Sequence, residues 1–199
     1  MNKSARSALF LVLALAALAG CSSKREPSAE PPLAGASIGG PFTLTDQDGR
    51  TVSDRDFAGR YRIMYFGYTF CPDVCPTDMQ HLGAAMRLLG ARDPALAKRV
   101  VPIFVTVDPA RDTPAVLRQF VSAFSPRLVG LTGSPEAIAQ VAKEYRVFYE
   151  KQPEQPGGGY LVQHTDQAIL FDPGGRPIVQ LPVKQSPEAI VATLEQWVR

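Results

Sequence analysis

Histidine is nearly absent from this chain, with two in 199 residues, His81 and His164. Cysteine is scarce too: Cys21, Cys71 and Cys75 are the three. With so few soft donors, each one counts. No internal repeat is visible, so a solenoid or propeller is excluded. Neither sign of charge dominates, with 21 Lys and Arg against 19 Asp and Glu, and no basic patch stands out. Nothing in the charge pattern therefore suggests nucleic acid, and no nucleic-acid partner is expected. The apolar run Ala8–Ala19 is too short to span a bilayer comfortably.

That run follows Lys3 and Arg6 and ends in "LAGC", Leu18 to Cys21. A positive start, a short apolar stretch and small residues are the parts of an export signal. The arrangement resembles a bacterial lipoprotein signal, which implies cleavage before Cys21 and acylation there; an ordinary signal peptide or uncleaved anchor is the plainer alternative. Lys3 and Arg6 are the whole excess of positive charge, so the mature chain is formally neutral. With Cys21 acylated, Cys71 and Cys75 are the remaining thiols, and outside the cytoplasm such a pair can be oxidised. Ser22–Gly40 is rich in Pro, Ser, Ala and Gly and reads as a tether. The expected division is a signal over 1–20, a membrane tether over 21–40 and one domain over 41–199.

Within the domain, "FTLTDQDGRTVS" carries the Asp-Gly of a hairpin turn. "RIMYFGYTF" and "VVPIFVTVD" read as buried strands, and "LVGLTG" as a third. Helices are expected from Pro76, from Thr113-Pro114, from Ser134-Pro135 and from Ser186-Pro187, the last three opened by a hydroxyl cap and a proline. "KQPEQPGGGY" reads as a long flexible loop, and "QAILFDPGGRPIVQLP" as two strands around a turn. Strands alternating with helices predict an α/β sandwich around a mixed sheet, preceded by a β-hairpin. A domain of this size buries enough core to need no disulfide.

The informative stretch is "YFGYTFCPDVCPTDMQHL", Tyr65 to Leu82. Cys71 and Cys75 admit three readings: staple, redox pair and half of a metal site. A disulfide closing so short a loop contributes only about 2 kcal/mol. A strand end running into a helix start would place both thiols where unpaired N–H groups and the helix dipole favour thiolate. That dipole is worth roughly 0.3–1 kcal/mol, less than the roughly 1.4 kcal/mol of one pKa unit. A bound metal would complete the deprotonation. Redox pairs of the Cys-x-x-Cys type have two intervening residues; here there are three, flanked by Pro72 and Pro76, leaving room for an ion without forbidding a disulfide.

A third ligand is then wanted. His81, off the apolar helix stripe, reads as solvent-facing. His164 opens "HTDQAILFD", at an edge that can face the first helix's N-terminus, and is taken as the third ligand; an ordinary hydrogen-bonded loop histidine is the alternative. Cys₂His suits Cu(I) through sulfur and Cu(II) through imidazole, and zinc with a fourth ligand would accept it as well. Asp108, Arg111 and Asp112 read as a turn with an ion pair and a helix cap, or as a device orienting a partner or the His164 loop. Asp73 reads as a solvated loop residue that could tune site charge.

These motifs together, "YFGYTFCPDVCPTDM", then "VTVDPARDTP", then His164 before "ILFDPGG", resemble the Sco/SenC family of thioredoxin-like copper proteins over about Pro41–Arg199. The resemblance implies a thioredoxin-like fold and one copper held by Cys71, Cys75 and His164. It implies a role in assembling the dinuclear copper centre of cytochrome c oxidase, by handing over copper or by reducing that centre's cysteines. The implied partners are the copper-receiving oxidase subunit, copper chaperones or thiol reductants, and a membrane reached through the lipid at Cys21. The implied location is the cell envelope, on the periplasmic side. Family members often place an acid before the histidine; Gln163 stands there in this chain. A thiol–disulfide oxidoreductase would need Cys71 and Cys75 without His164. A thiol peroxidase of the redoxin group would want Thr three residues before Cys71, where Tyr68 stands.

Overall fold

The structure, a computed structural model, describes residues 30–199. The expected signal over 1–20 and the expected acylation at Cys21 lie outside the described residues. The domain begins earlier than its composition suggests. Residues 31–40, read above as the end of the tether, pack on the domain: the Leu33 amide donates to the Ile178 carbonyl at 3.0 Å and the Gly39 amide to the Glu144 carbonyl at 2.9 Å. Leu33 and Ile38 supply the apolar contacts that hold this segment down, so a Pro- and Gly-rich stretch with two well-placed aliphatic residues is ordered after all.

The elements run β1 (Thr43–Asp46), β2 (Thr51–Ser53), β3 (Tyr61–Gly67), α1 (Val74–Arg92), α2 (Pro94–Lys98), β4 (Val100–Thr106), α3 (Pro114–Phe124) and β5 (Val129–Thr132). They continue with α4 (Pro135–Glu144), β6 (Tyr149–Lys151), β7 (Val162–His164), β8 (Ala168–Phe171), β9 (Pro177–Leu181) and α5 (Pro187–Trp197). A seven-stranded mixed sheet has the order β2-β1-β5-β4-β3-β8-β9, and β6 and β7 form a separate two-stranded ribbon. β3, β4 and β5 are parallel; β8 runs antiparallel to β3 and β1 antiparallel to β5.

β3 and β4 are buried along their whole lengths, as aromatic and β-branched runs covered on both faces should be. Alternation along β3 sorts the faces. Tyr65 stacks on Phe104, which meets Phe120 of α3, whereas Phe66 points the other way to Tyr145, just past α4. Three helices start as their sequences predict: Thr113, Ser134 and Ser186 each accept an amide hydrogen bond from three residues on, with proline at the next position.

This topology makes one end of the sheet the meeting place. The segments after β3 and β4 emerge at the carboxyl ends of parallel strands, where α/β sheets commonly place their sites. Because β8 is antiparallel, its leading segment arrives at the same end, where Ala168 pairs with Tyr65.

Candidate metal centre

The strand β3 ends at Gly67, and the chain turns through Tyr68–Asp73 into α1. α1 begins at Val74, not at Pro76, so Cys75 lies inside its first turn, among amides that have no intrahelical partner. Cys75 is fully buried and Cys71 half-buried. Both thiols are free.

Gly67 is what lets Cys75 sit there. A Cβ at that position would fall 2.8 Å from Cys75 Sγ and 3.0 Å from the Tyr65 ring. A glycine inside an otherwise bulky strand signals such a close approach. Gly67→Ala is expected to cost about 1–3 kcal/mol, the usual range for overpacking, and to displace Cys75. Urea unfolding and metal titration of that variant check both effects; wild-type values in both would contradict this packing.

His164 does not open β8. It ends β7, in a ribbon whose two strands flank the expected loop. Lys151 pairs with Val162 and Tyr149 with His164 across it, and positive-φ glycines Gly157–Gly159 form its tip. Strands of three residues among Pro and Gly carry too little alternation to be legible. The ribbon brings His164 Nε2 to 3.3 Å from Cys75 Sγ. The ligand atoms of Cys71, Cys75 and His164 all lie within 4.8 Å of one another. His164 Nδ1 lies 3.1 Å from the Thr165 carbonyl, which can only accept, so Nδ1 carries the hydrogen and the neutral ring turns the Nε2 lone pair toward the sulfurs. The Tyr68 ring meets the imidazole edge-on at 5.8 Å between centroids.

The electrostatics divide the two thiols. A hydrogen bond from Cys75 pulls the Cys71 thiol well below the usual thiol range, against burial and with help from His164 and the amides of Cys75 and Asp73. The same bond, with burial added, pushes Cys75 up. The two shifts are opposite, so Cys71, the more accessible sulfur, is the one that ionises more readily. Burial opposes a charge on His164, yet the bond to Cys71 and the Thr165 carbonyl outweigh it and raise the imidazole's pKa. Cys75 is the sulfur 3.3 Å from the imidazole nitrogen, while Cys71 is the one that raises the imidazole's pKa.

Several supporting residues were not legible from sequence. Buried Asp78, one turn after Cys75, accepts from the Tyr65 hydroxyl at 2.9 Å. Its signal is an acid beside Met79 on a helix face that should be apolar. Asp112 is fully buried and accepts from the Thr69 amide at 3.0 Å, the Thr69 hydroxyl at 2.6 Å and the Thr106 hydroxyl at 2.6 Å. It clamps the loop before Cys71; Thr113, not an aspartate, caps α3. Asp73 stays exposed and outside the donor group. His81 is not solvent-facing: it is half-buried, its Nδ1 donating to the Val183 carbonyl at 2.8 Å, and it ties α1 to the turn before α5.

The description SCO1/SenC belongs to the family model that matches residues 30–199. The chain belongs to the SCO1/SenC family. Protein SenC of Rhodobacter capsulatus is 47% identical over 141 residues, 70% of this chain and 61% of SenC. The mitochondrial SCO1 homolog 1 of Arabidopsis thaliana is 44% identical over 145 residues, 72% of this chain and 42% of that protein. The chain thus spans less than two thirds of these relatives. Bradyrhizobium japonicum ScoI, solved with copper bound, matches at a TM-score of 0.73 and 42% identity, covering 80% of this chain and 99% of that one. The fold of this SCO1/SenC member is thioredoxin-like, as the resemblance implied. No helix among the described residues is long and apolar enough to cross a membrane.

Proposed function

We propose that this chain is a membrane-tethered copper-binding protein that helps to assemble the dinuclear copper centre of cytochrome c oxidase by delivering copper. The observation that carries the reading is the convergence of Cys71 and Cys75 from the β3–α1 junction and His164 from the ribbon, their ligand atoms within 4.8 Å of one another. The donor set fits the ion: two soft sulfurs suit Cu(I), and the imidazole admits Cu(II). Among the described residues the group holds three side chains, one short of the usual four of a structural zinc site. The copper-bound ScoI relative supports the same reading.

Copper here is cargo. Cys71, the more readily ionised and the more accessible thiol, is the sulfur that first meets an arriving ion. Cys75 gives up its proton as the ion binds. His164 stands on a ribbon outside the main sheet, so its nitrogen can part from the sulfurs without disturbing the core. Titrating the reduced protein with Cu(II) tests the reading. One equivalent should bind with a thiolate-to-Cu(II) absorption band and then pass to the copper-binding domain of the recipient oxidase subunit. Absence of the band would reject it.

A second reading, reduction of a partner's cysteines, is favoured by the Cys71 thiolate beside the protonated Cys75. Cys71 would attack a partner disulfide, and the leaving sulfur would take up a proton. Cys75, deprotonated, would then release the second partner thiol and leave a Cys71–Cys75 disulfide. Full reductase function in vivo after His164→Ala would favour this reading over delivery.

In this reading a lipid at Cys21 anchors the domain to a membrane on its periplasmic side. Mass spectrometry of the mature chain is expected to find Cys21 at the amino terminus carrying the lipid; an unmodified Cys21 would contradict a lipid anchor.

A further inference from the structure

Asp108–Asp112 connects the two halves of the donor group. Asp112 reaches back to Thr69 on the cysteine loop. Arg111, one residue before it, reaches the histidine ribbon. Arg111 Nε donates to Asp108 Oδ2, and its Nη1 donates to the Tyr160 carbonyl at 2.9 Å. The Tyr160 hydroxyl returns to Asp108 Oδ1 at 2.9 Å, closing a ring of three residues. The guanidinium also lies 3.7 Å from the Tyr160 ring centroid, 4.9 Å from that of Phe70 and 5.6 Å from that of Tyr68. Phe70 precedes Cys71, Tyr68 packs on His164, and Tyr160 lies in the ribbon's connection four residues before His164.

This placement is costly. Arg111 Nη2 is enclosed without a hydrogen-bond acceptor, and buried donors are rarely left so. The three ring faces supply the compensating attraction. A surface ion pair needs no such arrangement. The ribbon pairs with no strand of the main sheet; Val162 alone of its strands is buried in the core, and the Gln152 and Thr165 amides close its ladder to Leu161 and Phe148.

We propose that Arg111 is a positioning residue, a latch that with Asp108 and Tyr160 holds the β6–β7 ribbon, and hence His164, in register with the cysteine loop. Its effect on copper rests on the function proposed above. Loss of the latch frees the imidazole but leaves both sulfurs in place. Cu(II), which depends on the imidazole, should therefore suffer more than Cu(I).

The test is hydrogen exchange on the metal-free full chain, followed by titration with each copper oxidation state. Arg111→Ala should speed exchange of the Gln152 and Thr165 amides about tenfold while β3 amides keep their wild-type rates, since the opening is local. Cu(II) affinity should fall about tenfold with Cu(I) affinity nearly unchanged. Arg111→Lys should behave like the alanine variant, because an ammonium lacks the fork that serves Asp108 and Tyr160 together. Should Arg111→Ala not fold, Tyr160→Phe removes only the hydroxyl and should still speed the same two amides. Wild-type exchange there, or an equal loss of both copper states, overturns the latch. The exchange arm holds no metal, so a wild-type protein that failed to bind copper would overturn the function while leaving the latch to be decided.

Discussion

His164→Ala should lose Cu(II) binding almost completely while leaving the fold intact. Losing a partner that merely supports a metal ligand typically costs about 10–100-fold in affinity, so removal of the ligand itself should exceed about 100-fold. The thiolate-to-Cu(II) band should disappear or shift strongly. Cu(I) affinity should fall much less, because both thiolates remain. The fold survives because His164 is only half-buried and its side chain meets the cysteine loop, Tyr68 and Thr165 at the edge of the domain rather than inside the core. Parallel Cu(II) titrations and thermal unfolding of the two proteins check this. An unchanged spectrum and affinity would remove His164 from the site.

Asp112→Ala should cause the largest loss of stability among the residues around the site. Its carboxylate is the acceptor for three donors, two of them from the loop that leads to Cys71. Burial raises its pKa, and the bonds from Thr106 and Thr69 pull it back, so the charge is held by those donors. Alanine leaves three buried donors unmet, at about 1–3 kcal/mol each. After some relaxation, a net loss of roughly 3 kcal/mol or more is expected. Asp112→Asn keeps the shape and one accepting oxygen and should lose roughly 1 kcal/mol. Urea midpoints of the three proteins measure both. An alanine variant as stable as the wild type would show that the loop is held by something else.

The two aspartates of the "DPARD" stretch show how far the sequence was legible. Their residue types announced a turn with an ion pair, and the Asp108–Arg111 pair is there. The division of labour was not visible, because it depends on which side chains come from distant segments. Asp112 takes Thr69, 43 positions away, and Arg111 takes Tyr160, 49 positions away. The main strands and capped helices were legible because their signals are local: apolar runs, hydroxyl caps and proline at the first helical position. The β6–β7 ribbon was not, since its strands are short and its bonds are made across a proline- and glycine-rich gap. The cysteines and His164 were readable as a candidate donor group through their scarcity, but what turns the His164 ring, the Thr165 carbonyl and the Tyr68 ring, shows only in the structure.

His81 teaches the converse. Lying off the apolar stripe, it looked solvent-facing, yet its Nδ1 reaches the Val183 carbonyl across 102 positions. Helical periodicity assigns a face but cannot say whether another segment covers it.

The central claim is that Cys71, Cys75 and His164 together hold one copper. X-ray absorption at the copper edge of the loaded full-length protein tests it most directly, run beside His164→Ala. The predicted result is one copper per chain, with two sulfur neighbours and one imidazole nitrogen, the nitrogen lost in the variant. A wild-type spectrum with fewer than two sulfurs, or an imidazole that persists without His164, would contradict it.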